Sequence, residues 1–221
     1  GLVFKAVQLD LNREVALKFI RSGSRAGEKE IKRFQLEAQV AASLRHPNLV
    51  SVYEIGEHEE QFYFSMEYIE GRTLAEVVRN YSMPAEDAAR LIKKIAEAVH
   101  YAHSNGVLHR DLKPGNIILD LHDEPNVTDF GLAKICDDYE GFTMTGDILG
   151  TPSYMSPEQA AGKATELGAP TDIYSLGAML YELLTGHPPF QAETPLDTMR
   201  LVIDEPPIVP RRVNPNTPLD I

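Results

Sequence analysis

Residues 107–131, VLHRDLKPGNIILDLHDEPNVTDFG, are the stretch on which the fold turns. Two polar clusters stand in it, His109-Arg110-Asp111 with Lys113 and Asn116, then Asp129-Phe130-Gly131. The apolar runs between them read as short strands. Polar residues on loops between buried strands commonly carry chemistry. Asp111 can take a proton from an attacking hydroxyl. Asn116 and Asp129 offer oxygens to Mg²⁺, a hard cation that prefers such ligands together with phosphate oxygens.

At these positions the chain closely resembles the protein kinase family, whose signature H-R-D-L-x-x-x-N followed by D-F-G stands here unaltered. The resemblance implies an α+β, bilobal protein kinase fold with ATP in the cleft. A small β-rich N-lobe with one helix is expected over residues 1–68 and a larger, mainly helical C-lobe over residues 69–221. Both are expected to be incomplete, the first lacking the start of the Gly-rich loop and the second its last helices.

Bulk properties narrow the field from another side. A chain of 221 residues can bury a proper core. Its formal net charge of −12 argues against a nucleic-acid or anionic-membrane binder, because such partners need a basic face. The single cysteine, Cys136, excludes an intrachain disulfide and a cysteine-cluster zinc site and fits a reducing compartment. No apolar run approaches a membrane span, so no membrane contact by this segment is expected. The expected setting is cytoplasmic, either alone or as the cytoplasmic part of a larger membrane-anchored protein.

Strands are expected over 3–9 and 14–20, joined by a turn at 10–13. Alternation puts Ala16, Lys18 and Ile20 on one face of the second strand, so Lys18 interrupts an apolar row. A helix is expected over 28–44, with Glu37 on the same face as Phe34 and Ala41. A carboxylate aimed at a core needs a cation, and Lys18 is the candidate. The resemblance implies the same pair, since Val15-Ala16-Leu17-Lys18 matches the V-A-I-K strand and Glu37 the glutamate of the next helix. In the family that lysine holds the α- and β-phosphates. Gly1 and Val3 match the end of the Gly-rich loop; Val3, Ala16 and Ile118 would sandwich adenine, although ordinary core positions would look the same.

Strands at 49–55 and 61–68 precede Glu67-Tyr68-Ile69-Glu70-Gly71, which resembles the hinge that meets adenine through backbone groups near Glu67 and Ile69, with Met66 lining the pocket. Thr73 and Glu76 form a capping-box pattern. A longer helix is expected over 83–104, with Ala88, Leu91, Ile95, Ala98 and Ala102 as its buried stripe and Gly106 as its stop. His100 and His103 near its end suit the helix dipole better than a metal. An apolar helix is expected over 172–185. Asp172 at its start resembles the family aspartate that pins the catalytic loop; an N-cap role would be the simpler alternative.

Residues 132–155 lack periodicity and match the kinase activation segment, ending at Ser156-Pro157-Glu158 in place of the usual A-P-E. Thr143 and Thr145 are the expected phosphosites, resembling bacterial-type kinases that autophosphorylate in trans, and Thr151 would line the acceptor site beside Asp111. Arg110 can bind a phosphate by paired hydrogen bonds. The arginine that usually pairs with the glutamate of A-P-E is not present, so Glu158 is expected to lack that partner.

The function implied is transfer of the γ-phosphoryl of ATP to Ser or Thr hydroxyls of proteins, with Mg²⁺ as the metal and Mn²⁺ as its alternative. Lys113, two residues beyond Asp111, goes with Ser/Thr rather than Tyr substrates in the family. Partners would be protein substrates and a second copy for trans-autophosphorylation, with no nucleic acid. A pseudokinase that only binds nucleotide or protein is the competing class, and a small-molecule kinase a third; none of Lys18, Glu37, Asp111, Asn116 and Asp129 is replaced.

Overall fold

The computed structural model describes residues 2–19, 42–58, 61–79, 82–129 and 152–219. Four strands, β1 (Leu2–Gln8), β2 (Arg13–Phe19), β3 (Val52–His58) and β4 (Gln61–Glu67), form an antiparallel sheet in the order β1-β2-β4-β3. In β2 Ala16 and Lys18 are buried and Leu17 and Phe19 half-buried, as the alternation predicts, but Val15 on the other face is buried too; Ala16, Phe64 and Met66 pack with Val50 beneath the sheet. The strand expected at 49–55 begins three residues later, at Val52. Its intended first residues pair elsewhere: Leu49 bridges Val127 in parallel, and Val50 N donates to Val127 O at 2.9 Å. That diversion stitches the sheet to the polar hairpin.

The hairpin belongs to a second, three-stranded sheet of β5 (Gly71–Thr73), β6 (Ile117–Asp120) and β7 (Pro125–Val127). Gly71 lies against the backbone of Leu119, where any Cβ would clash with its carbonyl oxygen, so β5 can reach β6 only with glycine there. The expected capping box is present: Glu76 N donates to Thr73 Oγ1 and Thr73 N to Glu76 Oε2, opening α1 (Leu74–Val77).

Helix α2 (Ala85–Ser104) buries the predicted stripe of Ala88, Leu91, Ile95, Ala98 and Ala102, and Gly106 follows it with φ 78. Then come α3 (Pro157–Ala160), α4 (Ala169–Thr185) and α5 (Pro195–Asp204). A last short turn, α6 (Pro210–Val213), opens on Pro210, which suits a first helical position. Leu74, Ile95, Leu112, Ile117, Val127, Met179 and Leu183 make the main core, which wraps the hairpin from below. Among the described residues no helix is long and apolar enough to cross a membrane.

Helix α4 begins at Ala169 with Gly168 as its cap, not at Asp172. Asp172 is therefore inside the first turn, and the N-cap alternative for it is wrong. Glu158, expected to lack its usual partner, accepts a hydrogen bond from Thr171 Oγ1 at 2.7 Å.

Candidate active site

Strand register does the first part of the assembly. Val3 opposes Lys18, Ala16 opposes Met66 and Lys18 opposes Phe64, and residues directly opposed in an antiparallel pair point to the same side. Val3, Ala16, Lys18 and Met66 thus share one face, turned toward the hairpin. Lys18 is 8 % exposed, and its Nζ lies 2.5 Å from Asp129 Oδ1. A buried ammonium needs such a partner, since its charge alone would be costly to desolvate. The expected pair with Glu37 lies outside the described residues, as do Gly1, Thr143, Thr145 and Thr151.

The hairpin performs the second part. Asn116 closes a 3-10 turn at Pro114–Asn116 and its carbonyl accepts from Thr128 N at 2.9 Å, so the residue before Asp129 is fixed beside it. Asp111 Oδ2 accepts from Lys113 Nζ at 2.8 Å and from Asn116 Nδ2 at 3.1 Å; Asn116 Nδ2 also reaches Asp111 O at 2.8 Å. Because the amide nitrogen of Asn116 is spent on Asp111, its Oδ1 is the atom that could serve a cation. Asn116 and Asp129 could together hold Mg²⁺, an ion that usually takes one or two protein ligands and completes its shell with water and phosphate. Among the described residues no group of three or more His, Cys, Asp or Glu could hold a metal by itself.

His109 connects both halves of the signature. It is fully buried; its Nδ1 accepts from Asp111 N at 3.3 Å, and its Nε2 lies 3.0 Å from Thr128 O. Accepting at Nδ1 leaves the proton on Nε2, which donates to the carbonyl. Burial pushes the imidazole below its ordinary pKa despite the opposing pull of Asp172 and of the Thr128 carbonyl. With the folded pKa depressed, the unfolded chain binds the extra proton first. The His109 contribution is thus intact above about pH 6.5 and is lost as pH falls toward the folded value, at up to ~1.4 kcal/mol per pH unit. Thermal melts between pH 7.5 and 5.5 are expected to show this decline, and His109→Phe to flatten it. Parallel profiles for the two proteins would remove His109 as the cause.

Asp172 anchors the loop from below. It is 1 % exposed, with Oδ1 accepting from Arg110 N at 2.7 Å and Oδ2 from His109 N at 2.8 Å. His103 Nε2 adds a third bond to Asp172, at Oδ2 and 2.8 Å, so His103 does more than complement the helix dipole. These bonds hold Arg110 at φ 64; Asp129 has φ 62. Left-handed non-glycine residues cost about 1–3 kcal/mol each and persist only where the surroundings over-determine them. Of the adenine-facing candidates, Ala16 and Met66 are buried, Ile118 is half-buried and Val3 is 52 % exposed. Glu67 and Ile69 are half-buried at and just beyond the end of β4, and Glu67 N is engaged with Ser51 O at 2.9 Å.

Three contributors were not visible as such in the sequence: His103, Thr128 and Gln159, whose Nε2 donates to Arg110 O at 2.8 Å. Only Gln159 left a usable signal, because Ser156-x-x-Gln159 is a capping-box pattern. A small pocket beside Asp111 is lined by Lys113, Tyr154, Met155, Gln159 and Ser175.

The chain is similar to known proteins along nearly its whole length. The chain is 38% identical over 224 residues to the serine/threonine-protein kinase PknB of Mycobacterium leprae, covering 99% of this chain and 36% of the relative. It is 39% identical over 221 residues to the serine/threonine-protein kinase PrkC of Bacillus subtilis, covering 99% and 34%. It thus spans about a third of the length of these curated relatives. The crystal structure of the Mycobacterium tuberculosis PknI kinase domain superposes with a TM-score of 0.73 at 27% identity, covering 98% of this chain and 77% of that one. The protein kinase domain model matches residues 1–218, which include the Lys18–Asp129 and Asn116–Asp111 pairs, and the chain belongs to the protein kinase domain family.

Proposed function

We propose that this chain transfers the γ-phosphoryl group of ATP, bound with Mg²⁺ or Mn²⁺, to serine or threonine hydroxyls of proteins. The observation that carries the reading is the Lys18–Asp129 ion pair, which brings the cation of the sheet to the hairpin that bears Asp111 and Asn116. Phosphoryl transfer asks chiefly for positioning and charge neutralisation. In this reading Asp111 orients the acceptor hydroxyl and takes its proton, Lys113 meets the moving phosphoryl, and Lys18 holds the other phosphates. Asn116 Oδ1 and Asp129 hold the metal ion, which supplies the remaining charge neutralisation when bound. Val3, Ala16, Met66 and Ile118 face the adenine, which the carbonyl of Glu67 and the backbone of Ile69 meet at its edge. Thr151 lines the acceptor site beside Asp111. The lobe boundary lies between residues 68 and 69, and Thr143, Thr145 and Arg110 supply control by autophosphorylation between two copies.

Lys18→Met tests the nucleotide half. Loss of a charge-assisted contact of ~1.5–3 kcal/mol corresponds to a MgATP affinity about 10- to 150-fold weaker. The shift of the melting temperature by MgATP reads this directly, because a ligand bound only by the native state raises stability. An identical shift in parent and variant would remove Lys18 from the phosphate site. No MgATP shift in the parent would favour the pseudokinase, and a shift without labelling of any protein the small-molecule kinase.

A further inference from the structure

Asp111 is only as well placed as the peptide unit that leads into it. That unit joins Arg110 to Asp111, and it starts from Arg110 at φ 64, where a side-chain-bearing residue has no intrinsic reason to stay. Asp172 holds the preceding amide, Arg110 N, and His109 Nδ1 accepts from the Asp111 N–H at 3.3 Å. The remaining polar atom of the unit is the Arg110 carbonyl oxygen. It accepts from Gln159 Nε2 at 2.8 Å, across 49 residues of sequence.

Gln159 is itself clamped. It is the N3 residue of α3; Ser156 N donates to Gln159 Oε1 at 3.1 Å, and Gln159 N donates to Ser156 Oγ at 3.4 Å. Ser156 is fully buried, so the cap cannot drift with solvent. The two ends of one amide group thus do two different tasks. Oε1 caps α3, and Nε2 reaches the loop.

We propose that Gln159 is a positioning residue for Asp111: its amide fixes the plane of the Arg110–Asp111 peptide and ties the orientation of that carboxylate to the start of α3. The proposal rests on Asp111 being the group that orients the acceptor. Gln159 borders the pocket beside Asp111, but its amide nitrogen is engaged by the Arg110 carbonyl rather than offered to a ligand. It acts through the Arg110 carbonyl, and α3 follows directly on Tyr154 and Met155, which line the pocket beside Asp111. The start of α3 and the loop that carries Asp111 are therefore held in register by one side chain.

Gln159→Glu separates this role from simple capping. Glutamate at N3 completes a capping box at least as well as glutamine, so the helix cap survives. The oxygen that replaces Nε2, however, would face the Arg110 carbonyl, and two acceptors without a proton between them repel. In the full-length protein, Gln159→Glu is expected to lower kcat for a protein substrate about 10- to 100-fold, the scale of a misplacement near 1 Å, with KM for MgATP unchanged. Ser156→Ala removes the hydroxyl cap but leaves the Gln159–Arg110 bond, and is expected to stay within about twofold of the parent in kcat.

Hydrogen exchange at the Asp111 amide gives a readout independent of turnover, expected at least about tenfold faster in Gln159→Glu and parent-like in Ser156→Ala. Parent-like kcat and exchange in Gln159→Glu would overturn the proposal. Equal losses in both variants would overturn it too, since only the cap would then matter. A parent protein that labels no substrate would instead defeat the kinase reading, and the exchange comparison would still decide the role of Gln159.

Discussion

Asp111→Asn is expected to reduce phosphoryl transfer to a protein substrate by about 10²–10⁴-fold while leaving the fold and MgATP binding in place. Those factors are what a positioned general base typically contributes. The asparagine is nearly isosteric, and with its oxygen turned toward Lys113 Nζ and Asn116 Nδ2 it can keep both hydrogen bonds that Asp111 Oδ2 accepts, at 2.8 and 3.1 Å. What it cannot do is take a proton from a hydroxyl at neutral pH. Incorporation of labelled phosphate into a generic protein substrate measures the first effect, and a MgATP thermal-shift titration the second. Labelling at the parent rate would remove Asp111 from the role of base.

Asp172→Ala is expected to be the most damaging substitution for stability. The carboxylate is 1 % exposed and satisfies two backbone amides of the catalytic loop and the His103 ring. Removing it strands buried donors, and breaking such a charged arrangement typically costs about 3–5 kcal/mol. For a domain of this size that corresponds to a fall in melting temperature of roughly 6–20 °C. Transfer should fail as well, since Arg110 would no longer be held in its left-handed conformation and Asp111 follows it directly. Asp172→Asn retains one acceptor oxygen and should fall between parent and alanine variant. A melting temperature for Asp172→Ala within a degree or two of the parent would show that the loop is held by something else.

Both substitutions act on a network of which one part was legible and another was not. The signature itself, His109 through Asn116 and Asp129, is legible in residue type and spacing, and the structure brings Lys18 to Asp129 from a strand whose alternation marks the lysine as out of place. The capping box at Thr73 and the stripe of α2 were equally readable, because both arise from contacts within one or two helical turns. Position 172 was ambiguous. An aspartate near a predicted helix start is usually a cap, and only the placement of that start at Ala169 turns its side chain into the loop. The strand boundary at Leu49 was misplaced for a related reason. Leu49 and Val50 have the right residue types for a strand but find their partner in Val127 rather than in β4.

What the sequence determined unaided is the kinase signature and most of the buried faces, since periodicity and motif spacing are properties of the covalent chain. What the tertiary structure decided is which buried polar groups answer one another. His103 with Asp172, and Gln159 with the Arg110 carbonyl, are separated by 69 and 49 residues, and no local pattern links them. A buried donor or acceptor must be matched, but the identity of its match depends on how helices and hairpin pack, and that is fixed only when the core closes.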